Sequence, residues 1–273
     1  MCEVVKNMEK YDVKFKKKFG QNFLKDVNVV KRIVSCAGIE NNSLVIEVGP
    51  GGAIMTRELA GVADNVLAYE IDTDLELELS KRLENCTNVD VVFQDFLTSN
   101  LVEDTSKYKY DHLYFVSNVP YYITTPILMK LVESGLKFEK IVMMVQKEVG
   151  DRFSTSSGNK EYGSITVLLN YFYNVKKEFF VSRKQFVPEP NVDSVIVSFS
   201  EKSEKLPLND LKFFERVVRD SFQYKRKNLR NNLKNYDLDI VSEVLKEYGY
   251  DLTVRAEALD VNVFVDIANA LKK

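Results

Sequence analysis

The chain has 273 residues, with 38 lysines and arginines against 40 aspartates and glutamates and a formal net charge of −2. That length supports a sizeable core in one large domain or two unequal ones. The near-balanced charge excludes a polycation that coats nucleic acid along its whole surface, so any nucleic-acid site must be local. A single histidine, His112, excludes His-rich metal sites and leaves one imidazole at most for any Ser-His-Asp triad, and the three cysteines form no CxxC pair that would suggest a zinc site.

The N-terminus, Met1 to Lys6, carries acidic and polar residues where a signal peptide has an apolar run, and no later stretch approaches the roughly 18 apolar residues of a membrane span. The expected location is the cytoplasm. From about Ser43 to Val145, short apolar runs alternate with longer amphipathic ones. Leu44–Val48, Val66–Tyr69, Val89–Phe93, Leu113–Val116 and Ile141–Val145 read as buried parallel strands. Ala53–Ala60 and Asp72–Glu84 read as helices, the second with Asp72 as N-cap and Leu75, Leu79 and Leu83 every fourth residue. This alternation implies a doubly wound α/β sheet.

Ser164–Tyr173 and Ser194–Phe199 read as two further strands, an antiparallel addition at one edge. The charged stretch Glu201–Pro207 reads as a linker, and the remainder of the chain is helical in pattern. The expected organisation is a catalytic domain over 1–200, a linker over 201–209 and a C-terminal all-α domain over 210–273.

The first strand runs into Glu47-Val48-Gly49-Pro50-Gly51-Gly52, a strand-to-helix turn whose glycines let a ligand approach the backbone. It lacks the third glycine of the dinucleotide fingerprint. Glu70 stands about twenty residues on, at the end of the second strand, where a carboxylate can accept from both hydroxyls of a ribose. Gln94-Asp95-Phe96 ends the third strand, where a side-chain acceptor beside a backbone amide suits the edge of an adenine. Each feature alone is a turn or a helix cap. In this order, at three successive strand ends, they point to an adenosine-containing cofactor.

Ser117-Asn118-Val119-Pro120-Tyr121-Tyr122 ends the fourth strand and favours methyl transfer over hydride transfer. The exocyclic N6 of adenine is a poor nucleophile, because its lone pair is delocalised into the ring. The Asn118 amide oxygen and the Pro120 carbonyl oxygen are two acceptors that can draw its N–H groups and align the nitrogen for attack on a sulfonium methyl. Tyr121 is expected to stack on the base. Phe186, in Phe186-Val187-Pro188-Glu189-Pro190, is weighed equally as a second aromatic wall and as a core residue.

These motifs, with Phe19-Gly20-Gln21-Asn22-Phe23-Leu24 before them and Tyr162-Gly163-Ser164, Val192-Asp193-Ser194 and Lys225-Arg226-Lys227-Asn228-Leu229-Arg230-Asn231-Asn232-Leu233 after them, closely resemble the ribosomal RNA adenine N6-dimethyltransferases, of the KsgA/RsmA type that acts on 16S rRNA. The resemblance covers nearly the whole chain. It implies a Rossmann-like class I methyltransferase fold using S-adenosylmethionine, with no metal. Cofactor contacts are implied for Asn22, Leu24, Gly49, Glu70, Asp95, Phe96 and Asn118. The target-adenine site is implied for Asn118, Pro120, Tyr121 and Phe186. The implied reaction dimethylates two adjacent adenines near the 3′ end of the small-subunit RNA, in ribosome biogenesis. Ala53 and Val119 depart from the usual Gly and Leu of the family.

For RNA contact, Lys17 and Lys18 lie in a basic run before the first motif. Between Asp210 and Lys234, eight basic residues stand against three acidic, and from Asn235 onward four stand against eight. Lys225, Arg226, Lys227 and Arg230 are therefore the expected phosphate contacts. The large-subunit adenine methyltransferases of macrolide resistance, a non-catalytic RNA-binding protein and a DNA adenine methyltransferase are the competing readings. A monomer is expected.

Overall fold

The computed structural model describes residues 23–272, which divide into two compact units: 23–150 with 176–201, and 151–175 with 202–272. The second unit thus draws in a stretch from the middle of the chain as well as the C-terminal residues, where a single boundary at 201–209 was expected.

In the first unit the elements run β1 (Phe23–Leu24), α1 (Val27–Ala37), β2 (Ser43–Val48), α2 (Ile54–Ala60), β3 (Asn65–Glu70), α3 (Glu76–Arg82), β4 (Val89–Phe93), α4 (Leu101–Thr105), β5 (His112–Asn118), α5 (Thr124–Glu133) and β6 (Lys140–Gln146). Helix α6 (Lys147–Phe153) leads into the second unit, with α7 (Ser164–Phe172) there. Then come β7 (Tyr173–Val181), β8 (Phe186–Val187) and β9 (Ser194–Glu201). The main sheet has the order β4-β3-β2-β5-β6-β9-β7, and β1 pairs separately with β8.

Strands β2 to β6 are parallel to their neighbours, whereas β9 runs antiparallel to β6, with Gln146 opposite Ser194. This is an α/β doubly wound sheet with an antiparallel edge, as the alternating pattern implies. Leu44, Val45 and Ile46 on β2 are all fully buried. A strand covered by helices on both faces needs such a continuous apolar run rather than alternation. Helix α1 starts at Asp26, whose carboxylate accepts from the Asn28 amide, and ends at Gly38 in the left-handed region. Its buried face, Val30, Ile33, Val34 and Ala37, packs with Val45, Val66, Tyr114 and Val142.

Two expectations need correction. Ser164–Phe172 is helix α7, and the edge strand begins only at Tyr173. The run Ile165-Thr166-Val167-Leu168-Leu169 is short, apolar and partly β-branched, a pattern that fits a strand and a helix buried all round equally well. Here Thr166, Val167 and Leu169 are buried, and the Thr166 hydroxyl donates to the Arg152 carbonyl at 2.9 Å. Asp72 caps a single 3₁₀ turn, Thr73–Leu75, ahead of α3 rather than capping the helix itself.

Helix α2 opens on Ala53, held at φ 57° in the left-handed region with its methyl fully buried among Leu75, Leu79 and Leu83. That conformation costs an L-residue about 1–2 kcal/mol, while the buried methyl contributes about 0.8 kcal/mol. Ala53→Gly relieves the first and forfeits the second, and the glycine also loosens the unfolded chain. Thermal unfolding is therefore expected to shift by less than about 4 °C in either direction.

Apart from Tyr173–Val175, where β7 begins, the regular elements of the second unit are helices, chiefly α7, α8 (Leu211–Ser221), α9 (Leu229–Asn232), α10 (Leu238–Glu247) and α11 (Val261–Leu271). They enclose a core of their own around Val167, Phe214, Val217, Leu233, Leu245 and Phe264. Among the described residues no helix is long and apolar enough to cross a membrane.

Candidate active site

The sheet order reverses at β2: β3 and β4 lie to one side of it and β5 and β6 to the other. A doubly wound sheet leaves a crevice at that point, outside the carboxyl ends of its strands. Pairing between β2 and β5 stops at Ile46 and Phe115. Beyond it the buried Ser117 bridges the parting strands, donating to the Val48 carbonyl at 2.7 Å and accepting from the Val48 amide at 3.4 Å. The cleft at these strand ends is lined by Leu24, Gly49–Gly52, Glu70 and Ile71, Gln94–Leu97 and Asn118–Ile123.

Gly49 and Gly51 adopt φ of 74° and 50°, a region that favours glycine. The turn is held by the Gly49 amide donating to Tyr69 O at 2.8 Å and by the Arg82 guanidinium donating to Gly52 O at 3.0 Å. Glu70 is only 4% exposed, with one carboxylate oxygen accepting from the Gly51 amide at 3.2 Å and the other from the Asp72 amide at 2.9 Å. Burial raises its pKa, while those backbone amides pull it back. The buried carboxylate thus locks the glycine turn to the end of β3 and forms part of the cleft wall.

Asp95 lines the cleft and also accepts from the Leu97 amide at 2.9 Å, so its capping role leaves it on the cleft. Phe96 lies beneath, 2% exposed and edge-on to Tyr69 at 5.2 Å. Asn118 ends β5 on the cleft. Pro120 O accepts from the Ile123 amide at 3.1 Å, which leaves its second lone pair for another donor. The Tyr121 hydroxyl is 2.7 Å from that of Ser194, a fully buried residue at the start of β9, and burial raises the tyrosine's pKa.

Not every expected residue reaches the cleft. Phe186 is 1% exposed and packs with Val30, Val181 and Ile196; it is not itself among the residues that line the cleft, although Val30 is. Across the β1–β8 pair it stands opposite Leu24, which does line the cleft. Asn22, Lys17 and Lys18 lie outside the described residues. Lys225, Arg226, Lys227 and Arg230 are exposed on the second unit.

Ile71, 44% exposed, and Tyr122, 58% exposed, supply apolar and aromatic walls that the sequence pattern did not single out. Their signal was adjacency, each standing next to a residue of the expected site. Glu47 also reaches the cleft lining, yet it is 2% exposed and its Oε2 has no hydrogen-bond partner among the described residues.

Burial, with the Glu70 carboxylate adding to it, pushes the Glu47 carboxyl up to about 8. An acid whose folded pKa lies above its unfolded value is protonated on folding. Its contribution is whole below the unfolded pKa of about 4.3 and is lost as pH rises through the folded pKa. Glu47→Gln is therefore expected to flatten the fall in stability between pH 5 and pH 8, with a gain at pH 8 on the order of 1–3 kcal/mol. Urea denaturation at the two pH values measures it.

Comparison with known proteins agrees with this geometry. The family model described as ribosomal RNA adenine dimethylase matches residues 12–273. The chain is 42% identical, over 274 residues, to the ribosomal RNA small subunit methyltransferase A of Streptococcus gordonii, a match covering 97% of this chain and 94% of that protein. Identity and coverage are the same for the protein of that name from Streptococcus sanguinis. Among solved structures, a dimethyladenosine transferase from Plasmodium falciparum superposes with a TM-score of 0.76 at 26% identity, covering 90% of this chain and 95% of that one. The 23S rRNA methyltransferase ErmE gives 0.71 at 26% identity, covering 92% and 100%. With the family model matched over residues 12–273 and these relatives covered nearly end to end, the chain is a methyltransferase that belongs to the ribosomal RNA adenine dimethylase family.

Proposed function

We propose that the enzyme transfers methyl groups from S-adenosylmethionine to the N6 amines of two adjacent adenines near the 3′ end of 16S rRNA, in the assembling small subunit, as a cytoplasmic monomer. The observation that carries this reading is that Asn118, Pro120 and Tyr121 line the same cleft as Gly49, Glu70 and Asp95.

The residues present fit the cofactor. Glu70 offers a carboxylate at the end of β3 for a ribose diol, Asp95 and the backbone beside Phe96 suit an adenine edge, and Leu24 and Ile71 give apolar walls. S-adenosylmethionine held there supplies an electrophilic methyl group on a sulfonium. The Asn118 amide oxygen and Pro120 O accept the two N–H groups of the target amine, drawing its lone pair out of conjugation and aiming it. Tyr121, tethered by Ser194, stacks on the extruded base. No strongly basic side chain is needed, because the amine becomes acidic once it carries the new methyl and releases its proton to solvent.

Lys225, Arg226, Lys227 and Arg230 contact phosphates, giving an affinity that falls with salt. The test is transfer of labelled methyl to small subunits lacking adenine dimethylation, beside large subunits and DNA. Incorporation confined to small subunits is expected. Incorporation into large subunits or DNA, or none despite cofactor binding, contradicts the reading.

A further inference from the structure

In the second unit, Gln223 to Lys227 form five consecutive exposed residues between α8 and α9. Tyr224, within this turn, is 56% exposed. The ring lies open beside three cations, Lys225, Arg226 and Lys227, with no acidic residue in the turn, which sets a flat aromatic face within local positive charge.

The turn is also built to hold its shape. On one side Phe222 packs with Tyr162 and Phe264, at centroid distances of 6.1 and 5.7 Å, and on the other Leu229 is fully buried. Asn232, 7% exposed, organises it from below. Its Oδ1 accepts from the Tyr224 amide at 3.1 Å, and its Nδ2 donates to Ser221 O at 2.7 Å and to Tyr224 O and Lys227 O at 3.4 Å each. The Lys227 amide donates to Tyr224 O at 2.8 Å, and Lys225 Nζ donates to Lys160 O at 2.8 Å. A buried amide with so many partners inside one turn fixes that turn before any ligand arrives.

We infer that Tyr224 is a stacking platform for an unpaired base of the RNA, held in place by Asn232 and flanked by the phosphate-contacting side chains of Arg226 and Lys227. A ring stacks on any base face and the cations track the backbone, a combination suited to single-stranded or looped RNA rather than to a duplex. The inference deepens the proposed function and rests on its assignment of RNA as substrate.

The experiment compares wild type, Tyr224→Ala, Tyr224→Phe and Lys227→Ala, as full chains, for binding to free 16S rRNA over a range of salt and for KM toward undimethylated small subunits. Tyr224→Ala is expected to weaken RNA binding and raise KM by roughly tenfold, with Tyr224→Phe within about twofold of wild type. The salt slope should be unaltered in Tyr224→Ala but reduced by about one in Lys227→Ala. Because Tyr224 is exposed, unfolding is no alternative cause, and an unmoved cofactor Kd checks this.

Binding and KM unchanged in Tyr224→Ala would overturn the inference while leaving the function intact. So would a Tyr224→Phe variant as weak as Tyr224→Ala, which would assign the effect to the hydroxyl. Tyr224-dependent RNA binding without methylation of small subunits would retain the platform and overturn the function.

Discussion

Asn118→Ala is expected to lower the turnover of methyl transfer about 100- to 1,000-fold, with cofactor affinity changed by less than about tenfold. The residue sits at the end of β5, on the cleft and one residue beyond the Ser117 bridge that fixes the strand end. Its amide oxygen is one of two acceptors assigned to the amine. Removing one preorganised polar group from a site where charge develops costs about 2.7–4 kcal/mol of transition-state stabilisation. Asn118→Asp keeps an acceptor at that place and should fall less. Single-turnover rates with saturating subunits, beside cofactor titration by calorimetry, separate the two quantities. Loss of cofactor affinity with the single-turnover rate at saturating cofactor unchanged would make Asn118 a cofactor ligand only.

The second large effect is on the cofactor. Glu70→Ala should weaken S-adenosylmethionine binding about 100-fold, because it removes the proposed ribose acceptor and releases the Gly51 and Asp72 amides from their shared partner. A buried donor left without its acceptor costs about 1–3 kcal/mol, and the glycine turn loses its tie to β3. Glu70→Gln is expected to lose about tenfold, since one of its two terminal atoms is a donor that meets another donor. A thermal shift with and without cofactor reports the loss together with any effect on the free protein. If Glu70→Ala binds cofactor as wild type does, the ribose assignment fails.

Much of this was legible in the sequence, for physical reasons that differ between elements. Strands buried on both faces must be continuous apolar runs, so β2, β3, β5 and β6 announced themselves. The ends of β2, β3, β4 and β5 carried Gly49, Glu70, Asp95 and Asn118, and parallel strands bring all their carboxyl ends to one edge. The features hidden from the sequence were set by tertiary packing. Ser164–Phe172 has strand-like composition but lies within a helical unit that buries it as α7. Phe186 was as plausible for a pocket as for a core, and its burial opposite Leu24 follows from a β1–β8 pairing that spacing alone does not reveal. Ile71 carries no polar signature, so its place on the cleft wall comes from the turn after β3. Asn232 stood inside a recognised basic motif, yet its hold on the Tyr224 turn depends on a chain reversal that spacing alone does not reveal.

The most direct test of the central claim is nucleoside analysis and base mapping of small-subunit RNA after reaction with the wild-type enzyme and S-adenosylmethionine. The account predicts N6,N6-dimethyladenosine at two adjacent positions near the 3′ end, and its loss with Asn118→Ala. Dimethyladenosine elsewhere, a monomethylated product that never advances, or methylation indifferent to Asn118 would contradict it.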